Sequence, residues 1–253
     1  MGRGRHYIQT GEVAELLDID TDVVSDSLQR AREAGKLVSV TKGGWVPVPP
    51  EYRAAGAPPP IHFIDQMMHH LGHPYYVGFL SAAAMHGASH QATMVLQIVT
   101  PARLRDRQIG AGRIQFIQRS NASERLCELK NVATGRVRVS TPAATVFDLV
   151  GFPRAGGGLS NGATVIGDLL VDGQLTTEAL IDAARLHPAS VVQRAGHLIE
   201  LMANETGITI DLDGLAALVA HADITPLAPA KPRSGERDDR WRLQINTRIE
   251  HDL

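Results

Sequence analysis

Apolar and polar positions in the first fifty residues predict two short helices followed by a hairpin. Val13, Ala14, Leu16 and Leu17 form an apolar stripe on a helix for which Thr10 is the expected N-cap. Asp18-Ile19-Asp20 then breaks the stripe with a turn of the length found in helix-turn-helix units. A second helix is expected from about Thr21 to Ala34, with Val24, Leu28 and Ala31 as its seam and Gly35 where a helix ends. Lys36–Val40 and Trp45–Val48 are β-rich runs around Thr41-Lys42-Gly43-Gly44, which is the pattern of a hairpin. Helix, turn, helix and hairpin in this order predict an N-terminal winged helix-turn-helix over residues 1–50.

The pattern stops at Glu51–Pro60, where three successive prolines remove backbone donors and predict a linker. Beyond it, helices are expected near 62–71, 78–87, 163–171, 177–186 and 189–203. Another starts at Pro142 with Thr141 as its cap. Strands are expected near 94–99, 113–118, 136–139 and 241–245, and Ala155–Gly162 reads as a surface loop. The fold class is therefore α+β, with residues 61–253 forming a larger mixed domain.

Composition sharpens this picture. Apolar residues are 43% of the 253 and charged residues 21%, enough to build a core, and with only 4% aromatics that core is aliphatic. The single cysteine, Cys127, excludes an internal disulfide and suits a reducing compartment. The N-terminal segment has no apolar signal region, and His6 stands where a myristoylation signal wants Ser or Thr. The longest apolar stretch, Tyr75–Ala88, is too short to span a bilayer. A cytoplasmic protein is expected.

The net charge of −2 conceals segregation: residues 101–140 carry nine basic and three acidic side chains, whereas 141–225 carry three and ten. That basic excess fits either a polyanion-binding face or arginines that alternate with core residues on strands and face water. On the second helix, Ser25, Gln29, Arg30 and Arg32 face away from the seam. Gln and Arg have the bidentate geometry that reads adenine and guanine edges. Lys36, Lys42 at the hairpin tip, and Arg103, Arg105 and Arg107 are the expected phosphate contacts, with Arg3 and Arg5 as a basic arm. Asp20, Asp22 and Asp26 oppose non-specific affinity at the start of that helix.

Other constellations carry less chemistry. His69, His70, His73, His86 and His90 suggest a metal cluster, but Gly72 and Pro74 interrupt the helix and no carboxylate pair completes a site. The Gly156–Gly162 run lacks the lysine of a phosphate-binding loop, and Cys127 has no paired base and reads as a buried thiol. Glu128-Leu129-Lys130 matches half of a metal-dependent nuclease site, for which Asp106 and Glu124 are poor upstream partners. No catalytic residue, metal or cofactor is expected. The alternatives are a nuclease using Glu128 and Lys130, or a ligand-responsive regulator, although no convergent polar pocket is visible in the sequence.

Four segments in order, Tyr75–Gly87, Val139–Leu149, Arg194–Glu200 and Leu227–Asn246, behind a winged helix resemble the AbiEi-type antitoxins of type IV toxin–antitoxin systems. The resemblance covers nearly the whole chain, with Ala143 and Ala144 standing where family members often carry charge. It implies a transcriptional repressor that binds inverted repeats of double-stranded DNA upstream of its own operon. It also implies an antitoxin that counters a co-encoded nucleotidyltransferase toxin, without a stable complex and without catalysis.

Overall fold

The computed structural model describes residues 6–88, 95–120, 122 and 126–250. Its two compact units are each assembled from separated stretches. One gathers described residues within 1–77, 93–124 and 128–139, the other those within 78–92, 125–127 and 140–253. The architecture is mixed α and β, the class expected from the hydrophobic pattern.

The first unit opens with β1 (Ile8–Gln9), α1 (Thr10–Leu17), α2 (Thr21–Glu33), β2 (Leu37–Thr41) and β3 (Gly44–Pro47). The three strands form an antiparallel sheet in the order β1-β3-β2, an arrangement compatible with a winged helix. The ends of α2 follow from local sequence. Asp20 accepts from the Asp22 amide at 3.0 Å. At the other end Gly35 N–H bonds Arg32 O and Lys36 N–H bonds Ala31 O, both at 2.9 Å. That paired closure needs the left-handed φ of +67° at Gly35.

Helix α1 departs from expectation at both ends. Thr10 is its first residue rather than its cap, and its hydroxyl accepts from Trp45 Nε1 at 2.9 Å and donates to Gly43 O. The hydroxyl thus joins the helix to the hairpin. Leu16 and Leu17, placed on the buried stripe by their spacing, are 71% and 57% exposed. The helix is eight residues long, and Asp18 reverses it in the left-handed region before its last turn is covered.

The expected linker is a packed strap. Pro50–Tyr52 and Pro60–His62 are 3₁₀ turns, and Ala57, Pro58 and Pro60 are buried. Ala111 N–H donates to Ala55 O at 2.7 Å. Its prolines stop regular structure, as expected, but their rings add apolar surface that the unit covers.

After α3 (Ile64–Leu71) come β4 (Tyr76–Val77), β5 (Val95–Thr100), β6 (Arg107–Ile109), β7 (Gly112–Gln118), β8 (Cys127–Val132) and β9 (Gly135–Ser140). They form a six-stranded mixed sheet in the order β6-β7-β5-β4-β9-β8. Strands β5 and β7 run parallel from Val95 opposite Arg113 to Thr100 opposite Gln118. Three of the six strands were not expected. β4 and β6 are too short to show a period, and β8 is an edge strand rich in polar residues whose Leu129 is exposed and whose Cys127 is half-buried, not buried.

The second unit is built around α5 (Pro142–Gly151), which packs against α4 (Phe79–Met85), α6 (Leu159–Val171), α7 (Thr177–Ala184) and α8 (Ala189–Thr206). Residues 143–150 of α5 are all buried. Ahead of it, Ser140 and Thr145 hydroxyls bond at 2.7 Å, and His86 Nε2 donates to Ser140 O at 2.7 Å. Thr141 Oγ1 accepts from Ala144 N–H at 3.3 Å as the expected cap. Thr141→Ala is expected to destabilise the protein by about 1 kcal/mol, read as a shift in the midpoint of chemical denaturation.

The glycine-rich surface loop is partly overturned. Leu159–Gly162 is the first turn of α6, and Gly156 and Gly162 are buried against Leu149. At Gly156, in the turn before the helix, a Cβ would stand 2.9 Å from Leu149 Cδ2, whereas at Gly162 it would make ordinary contact.

A short helix α9 (Asp213–Ala217) leads to β10 (Thr225–Pro226), β11 (Glu236–Asp238) and β12 (Leu243–Ile245), a small sheet in the order β10-β12-β11. Helix α8 holds this tail through successive residues. Gln193 donates to Asp223 O and Arg242 O, Arg194 to Pro226 O and Thr225 Oγ1, and His197 Nδ1 pairs with Asp238 at 2.7 Å. Trp241, fully buried, donates its indole N–H to Glu200 at 2.7 Å. Among the described residues, no helix is long and apolar enough to cross a membrane.

Candidate nucleic-acid interface

Helix α2 buries Val24 and half-buries Leu28 and Ala31, which exposes Asp22, Asp26 and Glu33 on the opposite face and leaves Ser25 and Gln29 there half-buried. Arg30 and Arg32 flank this outward face on opposite sides, and both are exposed. Two of the expected reading groups have local partners. Gln29 Nε2 donates to Glu33 Oε1 at 3.2 Å, and Arg30 donates to Asp26 O and Ser27 Oγ. These are surface bonds worth little in water, so a base edge can exchange with them. Ser25 is half-buried and Lys36 is exposed just past the helix.

Lys42 is exposed at the tip of the β2–β3 hairpin, and helix α3 supports it from within the unit. His70 Nε2 lies 3.2 Å from the Lys42 carbonyl, and the His70 ring meets Tyr7 edge-on with centroids 5.7 Å apart. Tyr7 in turn bonds Thr41 at 2.9 Å. Burial raises the Tyr7 phenol above its ordinary value, so it remains a neutral hydrogen-bonding group under the hairpin.

The basic stretch does not form one uniform face. Arg103 and Arg105 are exposed in the segment between β5 and β6. Arg107 is half-buried and donates to the Val40 carbonyl, so it joins β6 to the wing strand. Arg113 pairs with Asp106 at 2.7 Å, and Lys130 with Glu128 at 3.4 Å. Arg119 is buried and donates to Tyr76 Oη. Arg3 and Arg5, like His90 of the histidine group and Glu124 of the nuclease reading, lie outside the described residues.

Sequence reasoning found the acidic start of α2 at Asp20, Asp22 and Asp26 but missed the apolar patch exposed beside it. Residues 6–29 contain six carboxylates and neither lysine nor arginine. Leu16, Leu17, Ile19 and Val23 are exposed there. Among the described residues of this segment, the cationic part therefore begins at Arg30 and continues through Lys36 to the hairpin. Among the described residues, no group of three His, Cys, Asp or Glu is placed to hold a metal ion, and Glu128 pairs with Lys130 at 3.4 Å.

No curated protein matches the sequence. A crystal structure of the Rv2827c protein from Mycobacterium tuberculosis superposes with a TM-score of 0.66 at 18% identity, covering 94% of this chain and 86% of that one. The likeness is one of fold. Residues 76–201, which run from β4 through most of α8, match the AbiEi antitoxin C-terminal domain. They include three of the quoted segments wholly or nearly so, and among them are the buried Ser140–Thr145 pair and the start of the α8 hold on the tail. Through this match the chain belongs to the AbiEi antitoxin family and carries the antitoxin domain of a toxin–antitoxin system.

Proposed function

We propose that the chain is a DNA-binding autorepressor as well as an antitoxin, and that the toxin it counters is a co-encoded nucleotidyltransferase. The observation that carries the DNA half is the exposure of Arg30, Arg32, Lys36 and Lys42 on a helix and a hairpin belonging to one compact unit. A helix of this kind fits the major groove while a hairpin tip meets the backbone beside it. Ser25 and Gln29 are the base-reading groups, Arg30 and Arg32 on the flanks of that face meet phosphate instead of base edges, and the exposed Arg103 and Arg105 add phosphate contacts from the same unit. The acidic centre of the α2 face lowers affinity for random duplex, and selection of the operator then rests on base contacts. The antitoxin half rests on the family domain, and the identity of the toxin on the resemblance.

Fluorescence anisotropy with the duplex upstream of the operon, set against a random duplex, tests the first half. Tight, salt-dependent and sequence-selective binding is expected, and equal affinity for both duplexes would remove the repressor reading. Arg103→Gln with Arg105→Gln should reduce the slope of log affinity against log salt by about 2 if each meets one phosphate. An unchanged slope would take both out of the interface. Growth rescue on co-expression with the neighbouring nucleotidyltransferase gene tests the second half, and unrelieved toxicity would contradict it.

A further inference from the structure

We propose that the cleft at the C-terminal end of α3, in the first unit, binds a nucleoside monophosphate. The cavity holds about 370 Å³ and is lined by Asp65, Met68, His69, His73, Tyr75 and Arg138. Its size falls within the roughly 300–1,000 Å³ of sites that take small ligands.

The lining combines three chemistries. Arg138, from β9, and the two imidazoles present N–H donors of the kind that gather a phosphate, and an imidazole keeps at least one such donor in either protonation state. Pro74, exposed at the cleft, and the accessible edge of the Tyr75 ring supply apolar surface for a flat heterocycle. Asp65 supplies a carboxylate acceptor, held in place by the buried Tyr75, whose hydroxyl donates to Asp65 Oδ1 at 2.8 Å. Burial first, and then the Asp65 charge, push the phenol far above its ordinary range, so this hydroxyl stays a donor.

The carboxylate decides between ligands. Inorganic phosphate would use the cationic side and leave Asp65 facing an anion. A molecule with phosphate at one end and an amino or hydroxyl donor at the other uses both sides, with its ring over the apolar surface between them. Nucleoside monophosphates have this sequence of groups. The site uses none of the residues assigned above to DNA and lies apart from the segments that carry the antitoxin resemblance, except at Tyr75 and at the strand bearing Arg138.

Isothermal titration of the full-length protein with AMP, CMP, GMP and UMP, with inorganic phosphate and with the unphosphorylated nucleosides as separate arms, tests this. At least one monophosphate should bind with a submillimolar Kd, and phosphate or nucleoside alone at least about tenfold more weakly. His69→Gln with His73→Gln, both on the accessible rim, should weaken the monophosphate by about tenfold or more while leaving the melting temperature unchanged. Arg138→Gln should do the same and serves as the second variant. No binding by any monophosphate, binding as tight as the wild type's by both variants, or equal affinity for inorganic phosphate would each overturn the assignment.

Discussion

Replacing Arg30, Arg32, Lys36 and Lys42 together by glutamine should lower the slope of log affinity against log salt by about 3 to 4 on operator and random duplex alike. Each phosphate contact releases close to one counterion, worth about 0.9 in that slope. All four side chains are exposed, and none of them carries a fold contact comparable to the Arg107 bond to Val40. The folded state should therefore tolerate the change, and a melting curve beside the titration checks that. Gln29→Ala gives the contrast. A lost bidentate base contact costs about 1–3 kcal/mol on the operator and far less on random duplex. If the quadruple variant keeps its full salt dependence, α2 and the hairpin do not meet DNA. Should Gln29→Ala weaken both duplexes equally, the helix touches DNA without reading it.

The second large effect is on stability. Gly196 lies on α8 directly beneath the Trp241 ring, and a Cβ added there would stand 2.0 Å from a ring carbon. A methyl cannot fit unless the indole leaves, and the indole is fully buried with its N–H bonded to Glu200. Gly196→Ala should therefore cost nearly as much as Trp241→Ala, about 3–5 kcal/mol each. For a protein of this length, that is a fall of roughly 10 °C in melting temperature. The pair should be strongly non-additive. Once Trp241 is alanine the space above residue 196 is open, and Gly196→Ala should then cost less than about 1 kcal/mol, in keeping with a modest helix-propensity gain. Additive losses in the double variant would show that the ring contact is not what requires glycine.

Particular residues show where local sequence was sufficient. Gly35, Asp20 and Thr141 ended or began helices as their chemistry dictates, because caps and left-handed glycines act over four or five residues. The apolar pattern gave β5, β7, β9 and helices α4 to α8 within a few residues, but not the short α9. Leu16 and Leu17 went the other way, since periodicity finds an apolar stripe but not whether a neighbour exists to cover it. Gly156 is in a turn as expected, but its burial against Leu149, where a Cβ would stand 2.9 Å from a methyl, depends on a residue seven positions away, and Gly162, expected in the loop, lies in the first turn of α6. In the candidate interface, the exposure of Arg30 and Arg32 was legible from their offset to the seam, and that of Lys42 from its place at the hairpin tip. Arg107 was not, because its partner Val40 lies 67 positions away.

The sequence alone determined the element types, the acidic and basic segregation along the chain, and the family, because these depend on residue kind and short spacing. Tertiary structure decided which charges face water. It drew Arg107 and Arg119 into fold contacts, left Arg103, Arg105 and the Asp106-paired Arg113 exposed, and set Asp65, Tyr75 and Arg138 around one cleft. The physical reason is that a side chain's role follows from what the folded chain brings within a few ångströms of it. Such neighbours come mostly from distant segments, and a one-dimensional pattern carries no record of them.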